Sequence, residues 1–141
     1  MLNADDAILL VEDDRVDIMT VQRALKKNQI GNPLHVARTG LDALDMLRGA
    51  HGQEKISPPP ALILLDLNLP KMSGIEFLRA VRNDPELQQM HIIVLTSSNE
   101  PKDRAAAFEH DVDDYIVKPH SFDEFSRAIA TVLALWDAPE T

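Results

Sequence analysis

The sequence predicts an α/β fold in which a doubly wound parallel sheet carries helices on both faces. Five short apolar runs alternate with longer amphipathic segments along the chain. Hydrophobicity within each run is continuous, as strands covered on both faces require. An alternating strand–helix order with right-handed crossovers therefore predicts this layered arrangement.

The apolar runs predict where the five strands lie. The second run is the weakest, whereas the first and third end abruptly in acidic residues. The predicted strands are residues 7–11, 34–37, 62–65, 91–95 and 115–117.

Apolar residues at helical spacing predict the helices between these strands. Two starts are marked by capping boxes, Ser73 with Glu76 and Ser121 with Glu124, in which each side chain can satisfy an unpaired amide. The predicted core-facing residues are Ile18, Val21, Leu25, Leu41, Leu44, Leu47, Ile75, Leu78, Val81, Phe122, Phe125, Ile129 and Leu133.

Length and loop composition indicate one domain over residues 1–141, with its core at about residues 7–135. The polar, proline-rich stretch 49–60 leads straight into a strand, so we interpret it as a surface loop and not as a domain boundary. We expect no second domain after the last helix.

Composition excludes several classes of function. Fourteen basic and 23 acidic residues give a net charge of −9, which argues against binding to nucleic acid or to an anionic membrane surface. The absence of cysteine excludes disulfides, thiolate metal sites and cysteine nucleophiles. No apolar run is long enough to span a membrane and no signal peptide is evident, so we expect a cytoplasmic location.

Polar residues follow the predicted strands where the chain leaves the sheet. Glu12 and Asp13 follow the first strand and Asp66 the third, while Thr96 and Lys118 follow the fourth and fifth. In open parallel sheets, sites form beyond these carboxyl ends. If the first and third strands are neighbours, the carboxylates converge, and their repulsion favours a cation such as Mg²⁺ with its oxygen ligands.

Each of these residues also has a simpler explanation. Asp13, Asp14 or Asp17 could cap the first helix. Thr96 could be a turn residue, and Lys118 a solvated charge. Their joint occurrence at strand ends favours a functional site.

Four motifs resemble the receiver domain of two-component response regulators. They are VEDD at residues 11–14, LLDLNLPKMSG at 64–74, VLTSS at 94–98 and YIVKP at 115–119. The resemblance covers nearly the whole chain and implies a flavodoxin-like (βα)₅ fold with strand order 2-1-3-4-5. The motifs, the long loop and the ending ALW at 134–136 look most like stand-alone regulators of phytochrome-type kinases.

The resemblance implies a phosphoryl transfer from a sensor kinase's phosphohistidine to Asp66. Its metal site would be formed by Asp13 directly, Glu12 through water, Asp66, and the backbone carbonyl of Asn68. Thr96 and Lys118 would bind the new phosphoryl group.

The remaining features of the family concern its switch. Pro119 would follow a cis peptide bond. Thr96 would move toward the phosphoryl group, and Tyr115 would turn inward. These motions would reshape the face built from the fourth and fifth helices and the fifth strand. We expect output through protein contacts and homodimerisation, with Trp136 either a lid on the core or an interface anchor.

Two residues depart from the family pattern. Asp111 stands where glycine is usual and would have to adopt a left-handed conformation. His120 stands where an apolar residue is commoner. We interpret it as a solvated residue, although it could make the output face sensitive to pH.

Two other functions compete with the phosphorylation switch. An aspartate-nucleophile phosphatase needs a second acid two residues after the nucleophile, where this chain has Asn68. A receiver-like interaction module that is never phosphorylated usually lacks one of the acids, the hydroxyl or the lysine, and here all are present. The chain is therefore not expected to be an enzyme beyond the chemistry of its own aspartate.

Overall fold

The computed structural model describes residues 5–136 and confirms the predicted α/β architecture. Its five parallel strands form one sheet in the order β2-β1-β3-β4-β5. The strands are β1 (Ile8–Val11), β2 (Leu34–Ala37), β3 (Leu62–Leu65), β4 (Ile92–Thr96) and β5 (Asp114–Val117). The helices are α1 (Arg15–Lys27), α2 (Gly40–Arg48), α3 (Gly74–Arg82), α4 (Pro101–Glu109) and α5 (Phe122–Trp136).

The continuous apolar runs are explained by a core on each face of the sheet. In β1, Ile8 and Leu10 pack into the core beneath α1 and α5, whereas Leu9 and Val11 pack into the core beneath α2 and α3. Every strand residue of β1 is therefore buried. Polar residues are excluded from the strand until it leaves the sheet at Glu12.

One predicted core residue is exposed, and one helix carries little apolar pattern. Leu41 is 47% exposed, because it lies at the start of α2 and points away from the face that Leu44 and Leu47 bury. Helix α4 has a single buried residue, Ala107, so periodicity gave no signal for it.

The predicted caps and the left-handed turn are present. The Ser73 and Ser121 hydroxyls accept the amides of Glu76 and Glu124, both at 3.1 Å. Asp111 has φ 58°, as its place in the glycine position requires. The Arg82 guanidinium donates to its carbonyl at 3.1 Å and so holds this turn.

The expected cis bond before Pro119 is absent. Within residues 5–136 the cis peptide bond is Ser57–Pro58, in the loop before β3, and the Lys118–Pro119 bond is trans, which is the lower-energy isomer for most X–Pro bonds. That loop also buries Ile56 against the core.

In the part of the chain described, no helix is both long and apolar enough to cross a membrane.

Candidate functional site

Two acidic side chains meet at the carboxyl edge of the sheet because β1 and β3 are paired neighbours. Val11 lies opposite Leu65 in the ladder, so Glu12 and Asp66 leave the sheet at the same level. Both residues are nearly buried, with 2% and 6% of their surface exposed. The adjacency expected from the sequence is therefore present for this pair.

Lys118 joins the two acids from the end of β5. Its Nζ donates to Glu12 Oε1 at 2.5 Å and lies 3.6 Å from Asp66 Oδ2. A second hydrogen bond reaches Asp17 Oδ2 on α1 at 2.8 Å. Burial by itself lowers the pKa of Lys118, but the carboxylates of Asp17 and Glu12 outweigh that effect and raise it. Lys118 is thus a charged group at the centre of the site.

Glu12 is the most perturbed group in the site. Its Oε2 accepts the backbone amides of Asp13 and Asp14 at 2.9 and 3.2 Å. Burial raises the pKa of Glu12 from 4.5 to about 7; the hydrogen bond from Lys118 opposes this change and the charge of Asp66 adds to it. Proton binding at Glu12 therefore differs between the folded and unfolded chain.

We predict that Glu12 makes the stability of the metal-free protein depend on pH. Its folded pKa lies above its unfolded value, so its contribution is full below pH 4.5 and is lost as the pH rises through about 7. A difference of one between the folded and unfolded pKa corresponds to about 1.4 kcal/mol in the free energy of unfolding. Urea unfolding in chelator should show wild type losing stability relative to Glu12→Gln across this window.

The exposed Glu54 offers a matched control for this titration. Glu54→Gln makes the same carboxylate-to-amide change at an exposed position away from the site. Parallel curves for wild type and Glu12→Gln between pH 4.5 and 7 would contradict the prediction.

The other expected metal ligands are less tightly assembled. Asp13 is exposed, and its backbone carbonyl accepts from Arg38 at 2.9 Å. The backbone amide of Asn68 donates to Asp66 Oδ1 at 3.2 Å. Among residues 5–136, no three acidic or histidine side chains are grouped closely enough to hold a metal ion together. Glu12 and Asp66 lie close enough to share a hydrogen bond, and the Lys118 ammonium contacts both carboxyl groups.

The donor chemistry of the site nevertheless fits a hard cation. Glu12, Asp13 and Asp66 are carboxylates and Asn68 offers a carbonyl, which is an all-oxygen set. The raised pKa of Glu12 reflects in part its closeness to Asp66, the repulsion that a cation would relieve.

The expected switch residues are linked through Ser98 in the segment after β4. Thr96 is fully buried, and its Oγ1 accepts the Ser98 amide at 3.3 Å. The Tyr115 hydroxyl donates to the Ser98 carbonyl at 3.0 Å. Tyr115 is 5% exposed, so its ring already lies inside. Ser98 Oγ also donates to Asp103 at 2.5 Å, which ties the segment to α4.

Asp17 is a member of the site that was not predicted from the sequence, and the sequence left open which aspartate caps α1. The N-cap of α1 is Asp14, whose Oδ1 accepts the amides of Val16 and Asp17. Asp17 instead directs its carboxylate to Lys118, a residue 101 positions away. No local spacing signals such a contact. The side chain of Trp136 lies outside the described residues.

Comparison with known proteins identifies the family. The family model for the response regulator receiver domain matches residues 8–130. Response regulator Rcp1 of Synechocystis sp. is 37% identical over 134 residues, which cover 95% of this chain and 90% of Rcp1. The crystal structure of the Mn(2+)-bound form of Rcp1 aligns with a TM-score of 0.85 at 36% identity, covering 96% of this chain and 97% of that one.

A second solved structure supports the narrower resemblance. The phosphorylated cyanobacterial phytochrome response regulator RcpA aligns with a TM-score of 0.87 at 31% identity, covering 97% of each chain. The similarity to phytochrome response regulators expected from the motifs is therefore confirmed. This chain belongs to the response regulator receiver domain family.

Proposed function

We propose that this chain is a phosphorylation switch whose acceptor is Asp66. The observation that carries the proposal is the ammonium of Lys118, 14% exposed, which contacts both Glu12 and Asp66 where a phosphoryl group would bring further negative charge. Phosphoryl transfer depends mainly on positioning and on electrostatic stabilisation of the transferred group. A nearly buried carboxylate beside a cation meets both needs.

The transfer itself needs few groups. An Asp66 oxygen forms a bond to phosphorus while the bond from phosphorus to the donor's leaving group breaks, and that group departs with the electron pair. Lys118 stabilises the phosphoryl oxygens, and Thr96 can donate its hydroxyl to one of them. The chain acts on no substrate other than its own aspartate.

Mg²⁺ is the proposed cofactor. Glu12, Asp13, Asp66 and the Asn68 carbonyl would hold it, with Glu12 acting through water. When bound, it screens the repulsion between the acceptor carboxylate and the phosphoryl oxygens. The Mn(2+)-bound form of the similar Rcp1 supports binding of a divalent cation.

The switch would begin at Thr96 and end at the face of α4, β5 and α5. Thr96 now accepts the Ser98 amide, and Tyr115 donates to the Ser98 carbonyl. A phosphoryl group on Asp66 would compete for the Thr96 hydroxyl and so release Ser98. Because Tyr115 is already buried, the response would be a rearrangement of these contacts and not entry of the ring from solvent.

The proposed partner is a sensor histidine kinase of the phytochrome type. The name of RcpA supports this class. A cytoplasmic location is part of the same proposal. We propose no nucleic-acid or membrane partner for this acidic domain, taken as one unit over residues 1–141.

The same output face is proposed to form a homodimer. Phe108 on α4 is 42% exposed and stacks with Arg104, which also lies over the Tyr115 ring. Sedimentation that finds only monomer at high micromolar concentration, with and without beryllofluoride, would contradict self-association.

Acetyl phosphate tests the function directly. We expect wild type to gain one phosphoryl group in the presence of Mg²⁺ and none when the cation is chelated, as measured by intact mass. Failure to gain it at any Mg²⁺ concentration would favour a receiver-like module that works without phosphorylation.

A further inference from the structure

Asp17 holds the ammonium of Lys118 on the α1 side of the site. The distance from Lys118 Nζ to Asp17 Oδ2 is 2.8 Å, within hydrogen-bonding range. The distance from Nζ to Asp66 Oδ2 is 3.6 Å, which is an ionic contact without a hydrogen bond. The cation that should serve the acceptor is therefore bonded more closely to a residue on a neighbouring helix.

An ammonium has three N–H donors, and two of them are taken by residues other than Asp66. One goes to Glu12 and the other to Asp17. The Asp17 side chain is 37% exposed, whereas that of Glu12 is 3% exposed. The bond to Asp17 lies at the rim of the site and is the easier of the two to exchange.

An open cleft adjoins the ion pair between Asp17 and Lys118. Asp17 and Lys118 both line a cleft of about 260 Å³ between α1 and the start of α5. The backbone of Asp17 is fixed by the N-cap, because its amide donates to Asp14 Oδ1 at 3.1 Å. Asp17 thus has an anchored backbone, and its ion pair with Lys118 borders open space.

A simpler role for Asp17 is to place negative charge in the first turn of α1, which stabilises a helix by about 0.3–1 kcal/mol. That role needs no contact with a residue 101 positions away, and yet Asp17 makes one. A helix role affects stability alone, whereas control of Lys118 affects the rate at which Asp66 is phosphorylated.

We propose that Asp17 is a positioning residue that restrains Lys118 and so slows phosphorylation of Asp66. The inference rests on the proposed function of Asp66 as phosphoryl acceptor. Phosphoryl oxygens arriving at Asp66 must draw Lys118 away from Asp17 before the ammonium can form a full hydrogen bond with them. Asp17 thereby sets how readily the cation becomes available.

The test is the rate of phosphoryl uptake from acetyl phosphate with Mg²⁺ in the full chain. Asp17→Asn should raise the maximal rate about twofold to fivefold, the range expected when one partly exposed ion pair is removed. The affinity of the Asp17→Asn variant for beryllofluoride in the presence of Mg²⁺ should rise in parallel. Half-saturation by acetyl phosphate should change less, because Asp17 acts through Lys118 and not on the donor.

Three variants separate this role from a structural one. Asp17→Glu restores the charge and should return the rate toward wild type. Asp123→Asn removes the same charge from an exposed pair with Lys27 and should leave the rate unchanged. In a Lys118→Ala background the effect of Asp17→Asn should disappear, since the proposed coupling runs through that ammonium.

The outcomes are distinguishable. A wild-type protein that takes up neither phosphoryl group nor beryllofluoride would overturn the proposed function together with this inference. A phosphorylated wild type with an equal or lower rate in Asp17→Asn would overturn the inference alone, as would an Asp17→Asn effect that persists without Lys118.

Discussion

Asp66→Asn should lose phosphoryl uptake from acetyl phosphate completely while keeping its fold. The amide has nearly the shape of the carboxylate but lacks the charge that makes the oxygen a nucleophile. The change also removes one of two neighbouring buried acids. Because the charge of Asp66 contributes to the raised pKa of Glu12, that pKa should fall toward its ordinary value. The variant should therefore be at least as stable as wild type in urea.

Asp14→Asn is the matched control for the loss of a neighbouring acid. Asparagine caps a helix about as well as aspartate does, so α1 should keep its start and Asp66 should still be phosphorylated. Intact mass and urea unfolding report on the two effects separately. A phosphoryl adduct that persists in Asp66→Asn would move the acceptor to another residue.

Gly74→Ala should damage both the fold and the site. A Cβ at this position would lie 2.5 Å from the Leu67 Cα and 2.7 Å from the Asp66 carbonyl oxygen. Both are backbone atoms that directly adjoin the acceptor, so no side-chain rotation relieves the contact. We expect a loss of about 1–3 kcal/mol in the free energy of unfolding, as for other overpacked sites. Displacement of Asp66 should also slow phosphorylation by about tenfold or more.

Gly31→Ala is the control for this change. No atom lies within 4 Å of a Cβ at Gly31, so neither stability nor phosphorylation should be impaired. If Gly74→Ala is as stable and as quickly phosphorylated as wild type, the backbone of Asp66 and Leu67 is not restrained by this close approach.

Most of the architecture was predictable because the sheet is buried on both faces. Strands with two apolar faces must be apolar throughout, so each run in the sequence marks a strand to within one residue. The same rule leaves polar residues only where a strand ends. That is why the sequence alone places Glu12, Asp66 and Lys118 at one edge of the sheet.

Helix α4 shows where pattern reading fails. Periodicity reports burial, and α4 buries only Ala107, so its sequence carries almost no amphipathic signal. Leu41 shows the converse, since an apolar residue at the right spacing is exposed at the start of its helix. Both errors arise because local spacing does not record how a helix is seated on the sheet.

The amino-acid order alone determined the alternation of strands and helices, the capping of α3 and α5, and the identity of the groups at the carboxyl edge. These depend on hydrophobicity and hydrogen bonding over a few neighbouring residues. Only the tertiary structure decided how the charges pair. Lys118 bonds to Glu12 and Asp17 and is more distant from Asp66. Such pairing depends on distances between segments that are far apart in the chain. The packing of α1 against the end of β5 sets those distances, and no local pattern encodes them.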